Sequence, residues 1–490
     1  MKKAIVYIIS LIIVVIIIVS FIDVKNQKII DGQESNIVYS INNIPNDLSR
    51  TTELSKEDEN IICATSRGLV KLKKNGEIEN DLAEEINISQ DGIEYEIKLK
   101  DNLSWSDGSN ITCDDVLDFV KELIKVEDES SIGALFDVFG VREYKNGSGT
   151  FKNNVAITSE DNKIKIRLNK KNDSFLYELT KPQYRLRKSL PLWSDIKTYY
   201  KDIIYSGTFS IGDVQKESIS LVKNEGTAAK IIFKLDESSE FAMAQYEINN
   251  RDIVIDPPKN QLQKLNSRNR LIKSQSSRGV YLILNNIEDS TDLIDKRRKI
   301  YKGFCDAIKE YDTINPGYIE EAEGSYFIQD KNLLEKLQRR KVHMNEKGID
   351  ENIDLITVLA EDTSENRYLC EFLKDWYNAN CNIEIRYTLV NSDEMQDIEL
   401  RNRYHVVIFD YNGSGDRKNF YKGISGYLSE NEMKTIETSN NEEILKVEER
   451  LFNEFKVVPL YFYNRNIAVS EKVSDISIDG NGNIVFESIK

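Results

Sequence analysis

Apolar and polar residues alternate at period two from Ile93 through Tyr95 and Ile97 to Leu99. That spacing puts four side chains on one face of a half-buried strand, which ends at Asp101-Asn102. The period then changes. Thr112 and Asp115 have the spacing of a capping box, and Val116, Phe119, Val120 and Leu123 recur at i, i+3, i+4 and i+7. A helix therefore starts near Thr112 and buries that stripe. Between strand and helix sits Trp105-Ser106-Asp107-Gly108. We expect it to be a structural turn, with Asp107 bonding nearby backbone N–H groups and Trp105 packing between subdomains.

Similar patterning organises the rest of the chain. Asn36–Asn42 and Lys230–Leu235 read as strands, and Val155–Leu168 reads as a hairpin about a Ser-Glu-Asp-Asn turn. The run Tyr281–Asn286 is apolar on both faces, as expected of a strand inside a covered sheet. From Asn352 to Phe409 the pattern predicts a strand at Ile353–Leu359, then a helix with apolar positions Tyr368, Leu369, Phe372, Leu373, Trp376 and Tyr377. A strand through Ile383, Ile385 and Tyr387 follows, then a buried strand at Tyr404–Phe409. This is a right-handed parallel βαβ unit extended by one strand, and Trp376 with its aromatic neighbours is core. Arg185, Arg187 and Lys188 cluster in a stretch that reads as a solvated basic loop.

The first residues bear on compartment. Met1-Lys2-Lys3 precedes a nearly unbroken apolar run from Ala4 to Ile22, whose nineteen residues are enough to cross the roughly 30 Å hydrocarbon core. The run is long for a signal-peptide core and no Ala-x-Ala-like site closes it, so it reads as an uncleaved signal anchor. Lysines before it and Asp23 after it put the bulk of the chain outside the cell membrane as a single-pass protein. At 490 residues the chain exceeds one hydrophobic core, and its net charge of −16 argues against a nucleic-acid partner.

Candidate chemistry is sparse. Five cysteines are an odd number for an exported domain and read as small buried hydrophobes. No CxxC exists and only His343 and His405 could assist, so neither a metal site nor a cofactor is expected. GxSxG, HExxH and P-loop motifs are missing, which points to binding rather than catalysis. The loop Asp410-Tyr411-Asn412-Gly413-Ser414-Gly415-Asp416 leaves the carboxyl end of the buried strand with two carboxylates and flexible glycines, and ligands of open α/β sheets bind at such ends.

Several fragments, in order, resemble the family 5 extracellular solute-binding proteins, the peptide-binding subunits of ABC importers. They are Gly68–Gly92, the Trp-Ser-Asp-Gly turn with its capped helix, Ser206–Asp213, Phe241–Ile255, Tyr281–Asn286 and Val458–Val469. The resemblance implies an α/β, type II periplasmic-binding-protein-like fold, with two lobes and a third inserted subdomain, here preceded by one transmembrane helix. It divides the chain into 1–34 (anchor and spacer), 35–70 with 154–271 and 459–490 (lobe I), 71–153 (insert) and 272–458 (lobe II). It implies a monomer that captures a peptide or other small solute and serves an ABC permease. It also implies Asp410, Tyr411 and Asp416 as ligand-binding residues, with Asp410 or Asp416 pairing with a peptide's α-amino group unless the loop is merely solvated. Three departures are visible. The lipid-carrying Cys of many members is missing, and so are the family's Pro-Phe pair after Tyr281–Asn286 and the Trp before Asp410-Tyr411. They leave open a second reading, a degenerate binding scaffold acting as a membrane-anchored sensor or protein-docking module.

Overall fold

The structure, a computed structural model, describes residues 36–489 except 52–53, 130, 226–229, 286–292, 328–352, 412–416 and 439–440. The anchor expected over residues 4–22 lies outside the described residues. Among those that are described, no helix is long and apolar enough to cross a membrane.

The described chain forms two compact units, one up to Val254 with Ser470–Lys490 and the other Ile255–Val469. In the first unit, strand Ile37–Ile41 lies parallel to Lys230–Leu235, with Ile37 opposite Ile231. Lys230–Leu235 is antiparallel to Ser218–Lys223, which is antiparallel to Phe209–Val214. A second sheet of four strands holds the predicted alternation: Glu94–Leu99 lies between Ala83–Ile88 and Lys163–Arg167, and Ile157–Glu160 completes it. Tyr95, Ile97 and Leu99 are buried, as their period requires. The predicted hairpin joins Ile157–Glu160 to Lys163–Arg167 through Asp161 and Asn162, both at positive φ, a geometry that suits the right-handed twist of paired strands.

Helix Cys113–Val126 starts where predicted. Thr112 Oγ1 accepts from Asp115 N–H, the Asp115 carboxylate accepts from Thr112 N–H, and Val116, Phe119 and Leu123 are buried. Each of the four residues of the turn before it has a definite local setting. Trp105 is 2% exposed, and its ring lies 5.0 Å from the Lys188 ammonium. Ser106 N–H donates to Tyr205 O while Ser106 Oγ accepts from Tyr205 N–H. Asp107 accepts from the backbone and hydroxyl of Ser109, and Gly108 sits at φ +84°, where a side chain would be strained.

The basic stretch differs from its expectation. Arg187 is fully buried and Arg185 is 9% exposed. Arg187 donates to the carbonyls of Leu48 and Gln183 and lies over the Phe119 ring, while Arg185 donates to Ser66 O. Main-chain carbonyls and an aromatic face, rather than water, take these guanidinium groups, and a charge pattern alone does not reveal such partners.

The second unit is the predicted βαβ arrangement enlarged. Leu355–Glu361 is parallel to Glu384–Val390 on one side and to Val406–Tyr411 on the other. The connecting helix Ser364–Cys381 is capped by Thr363 Oγ1 and ends at Asn382 in the left-handed conformation. Leu271–Leu284 then runs antiparallel to both Val406–Tyr411 and Val457–Val469, and Ile319–Glu321 adds an antiparallel edge to the last of these. Helix Leu293–Ile314 packs beside Ser364–Cys381, with the Phe304 and Tyr377 rings 5.5 Å apart. The unit boundaries at Val254/Ile255 and Val469/Ser470 fall outside those drawn from sequence at 271/272 and 458/459. Their physical reason is pairing: Val457–Val469 stays paired with Leu271–Ile283 along nearly its whole length, across two shifts of register, so the return strand is held within the second unit.

Cys63, Cys113 and Cys370 are buried and none of the five cysteines is in a disulfide. Burial pushes the Cys63 and Cys370 thiols up to about 12, so they behave as packing groups rather than nucleophiles.

Candidate ligand-binding site

Val406–Tyr411 is buried along its length because two strands flank it, and its apolar run Val406-Val407-Ile408-Phe409 fills the core. Asp410 is thus delivered at the carboxyl end of a central strand. Its side chain is 9% exposed, and it does not face empty solvent. Arg278 reaches it with two hydrogen bonds, Nε to Oδ1 at 3.0 Å and Nη2 to Oδ2 at 2.5 Å. Two parallel N–H···O bonds to one carboxylate make the strong, orientation-fixing form of this pair.

Arg278 owes its position to an irregularity. Val280 is opposite Asp410 in the sheet, but the register against Val457–Val469 shifts between Gln275 and Gly279. Such a bulge re-aims the side chains within it. Gly279 permits the close approach that follows, since a Cβ there would come within 3.0 Å of the Phe462 ring. The guanidinium lies over the Tyr463 ring with 4.2 Å to the centroid, and its Nη1 also approaches Glu365 Oε1 at 3.4 Å. Pairing with Asp410 raises the Arg278 pKa further above its ordinary value despite burial, and Arg278 among other groups holds the Glu365 carboxyl below its usual range. Two carboxylates share one guanidinium, so Asp410, Glu365 and Arg278 together carry one negative charge.

A cation of different character lies across the tyrosines. Lys259 follows Pro257-Pro258, and its ammonium is surrounded by the rings of Tyr368, Tyr311 and Tyr318 at 3.7, 4.3 and 4.5 Å. Tyr318 in turn meets Tyr463 at 5.6 Å, which joins the two charged ends through aromatic rings. Burial lowers the Lys259 amine to about 8.

Of the residues expected here, Asp410 and Tyr411 lie in this unit, and Tyr411 is buried with its ring edge-on to Phe420 at 5.3 Å. Asp416 lies outside the described residues. Sequence reasoning did not find Arg278, Glu365, Lys259 or Tyr463. The only signal for Arg278 was a cation directly before an apolar strand, and Tyr368, assigned to a core stripe, is 48% exposed at this cluster. Among the described residues no group of His, Cys, Asp and Glu is arranged to hold a metal ion.

The family described as bacterial extracellular solute-binding proteins, family 5 Middle, matches residues 77–431. The dipeptide-binding protein DppE of Bacillus subtilis is 20% identical over 463 residues, covering 84% of this chain and 83% of its own. Among solved structures, the unliganded open form of the periplasmic murein tripeptide-binding protein MppA matches with a TM-score of 0.68 at 16% identity, over 91% of this chain and 94% of that one. An oligopeptide-binding protein of Borrelia burgdorferi, OppAIV, matches with a TM-score of 0.60 at 18% identity, over 93% and 99%. At such identities the structural matches establish a shared fold.

Proposed function

We infer that this chain, which belongs to family 5 of the bacterial extracellular solute-binding proteins, captures peptides outside the cell and passes them to the permease of an ABC importer. The observation that carries this reading is the family match across residues 77–431, together with curated relatives that are dipeptide- and oligopeptide-binding proteins. The chemistry required is recognition. A desolvated carboxylate pairs well with an ammonium, and a site that also offers main-chain hydrogen bonds accepts extended peptides with little regard to side chain. Asp410 remains the proposed anchor for the peptide's α-amino group. Its pairing with Arg278 does not remove that role, because Asp410 and Glu365 together exceed the single guanidinium by one charge. No catalytic step is assigned. The tether is proposed to be the apolar run at residues 4–22, and the protein is proposed to act as a monomer.

Deleting the gene should abolish uptake of labelled short peptides by the host cell, and restoring it should recover uptake. Normal uptake in the deletion strain would favour the second reading, a sensing scaffold that feeds no transporter. The observation behind that second reading is that Asp410 is already charge-paired within the chain.

A further inference from the structure

Arg401 closes the short helix Ile398–Arg401 and is 1% exposed, yet among the described residues it pairs with no carboxylate. Its Nε donates to Met395 O at 2.5 Å and its Nη1 to Gly423 O at 2.9 Å, and the guanidinium lies over the Phe409 ring with 5.4 Å to the centroid. Its Nη2 is buried and has no hydrogen-bond partner. Neither has the hydroxyl of Tyr427, a residue 5% exposed in the turn Ser425–Tyr427 that follows Gly423. Two glycines bring these groups together. A Cβ at Gly423 would come within 2.8 Å of the Phe409 ring, and one at Gly426 within 2.5 Å of Ile398. The turn is thus pressed both onto the ring beneath the guanidinium and onto the helix that carries it. Burial raises the Tyr427 phenol above its usual range while the Arg401 charge pulls the other way, as expected of close neighbours.

A buried charge needs compensation as well as hydrogen bonds. Two carbonyl dipoles and one ring face compensate the inner edge of this guanidinium, and nothing among the described residues compensates the edge at Nη2. Arg278 in the same unit marks the contrast, since its carboxylate partner raises its pKa despite burial, whereas burial lowers that of Arg401. A water could accept from Nη2, but it would leave the charge standing. We propose that Arg401 Nη2 and Tyr427 Oη form a buried site for a small monovalent anion of the halide class, chloride in the protein's own surroundings. Both groups donate to it, and it neutralises the guanidinium and ties the turn Ser425–Tyr427 to helix Ile398–Arg401. The site is separate from the Asp410–Arg278 pair, because Phe409 and Asp410 are adjacent in one strand and their side chains point to opposite faces of the sheet. It is a structural anion site and does not depend on the peptide reading.

The test has two readouts on the full chain, neither of which needs a peptide. Crystals in sodium bromide, with data collected above the bromine absorption edge, should show an anomalous peak in contact with both Arg401 Nη2 and Tyr427 Oη. Density at that place without anomalous signal would identify a water and overturn the proposal. Thermal melting at constant ionic strength, with sodium gluconate exchanged stepwise for sodium chloride, should give a melting temperature that rises with chloride along a saturable curve. Tyr427→Phe removes one donor and keeps the ring, so it should raise the half-saturating chloride concentration about tenfold, the effect of losing one hydrogen bond to a charged partner. Arg401→Met should melt without any saturable response to chloride, and Tyr427→Phe carries the test by itself where that variant fails to fold. A bromide peak that persists unchanged in Tyr427→Phe, with no saturable chloride response in wild type, would mark an adventitious ion only and would overturn the site.

Discussion

The pairing of Asp410 with Arg278 makes a quantitative demand on stability that a purely ligand-facing carboxylate would not. Asp410 is 9% exposed at its side chain and Arg278 25%. Removing one partner of a fully buried ion pair costs about 3–5 kcal/mol, because the other charge is left without compensation. Here Glu365 stays within 3.4 Å of the guanidinium and a quarter of Arg278 is in water, so about 2–4 kcal/mol is expected for Asp410→Asn. For a unit the size of residues 255–469 that corresponds to a melting temperature lower by about 5–15 °C. Arg278→Met should cost a similar amount, since it leaves a carboxylate buried and also loses the stacking on Tyr463. The double variant removes both charges and should lose about 2 kcal/mol less than the sum of the singles. Calorimetry of the four proteins measures this. Unchanged melting in both single variants, or strictly additive losses, would refute the claim that the pair is a structural part of the site. The same proteins report on the ligand. If Asp410 also receives an α-amino group, Asp410→Asn should weaken a peptide with a free amine by roughly 30- to several-thousand-fold, and its N-acetylated form much less. Equal losses for the two forms would remove Asp410 from that role.

Three other expectations concern separate parts of the chain. Trp105, 2% exposed and packed in the core of the first unit, should cost about 3–5 kcal/mol when changed to Ala, with ligand affinity little altered in the folded fraction. Denaturant unfolding checks the first part and titration the second. The ligand-free Lys259 amine should titrate near pH 8, against about 10.5 in the unfolded chain. Between those values the unfolded chain binds the extra proton, so the stability of wild type relative to Lys259→Met should rise with pH across that window and stay level below it, which urea melts at several pH values would show. Leu11→Arg places a charge in the apolar run at residues 4–22, at about 2.5–3.5 kcal/mol on insertion scales, and should impair membrane attachment in cell fractions. Recovery of intact wild-type protein cleaved after Ser20 from culture medium would contradict an anchor.

What could be read from the sequence was whatever depends on local periodicity. The alternation from Ile93 to Leu99, the Thr112 cap and the strand, helix and two strands between Ile353 and Phe409 each bury one face of a regular element, so a few residues state the rule. The Trp105–Gly108 turn was legible for the same reason, because its bonds span only a few positions, apart from the link of Ser106 to Tyr205. The site was only half legible. Asp410 could be placed because it ends an apolar strand, but its partner Arg278 is 132 residues away and is aimed by a bulge that no period announces. The Lys259 basket draws on three tyrosines from separate segments, and each of them alone looks like core. Arg187 marks the opposite error, since a cluster of like charges suggested water where carbonyls and the Phe119 ring had taken its place.

Whether this chain carries peptides can be read from native mass spectrometry of the full chain purified from its own host. A peptide carrier should show adducts whose masses resolve into short peptides, that are released on mild denaturation, and that are replaced by added synthetic peptides with free termini. A spectrum showing only the bare chain, unchanged by an excess of such peptides, would contradict that role.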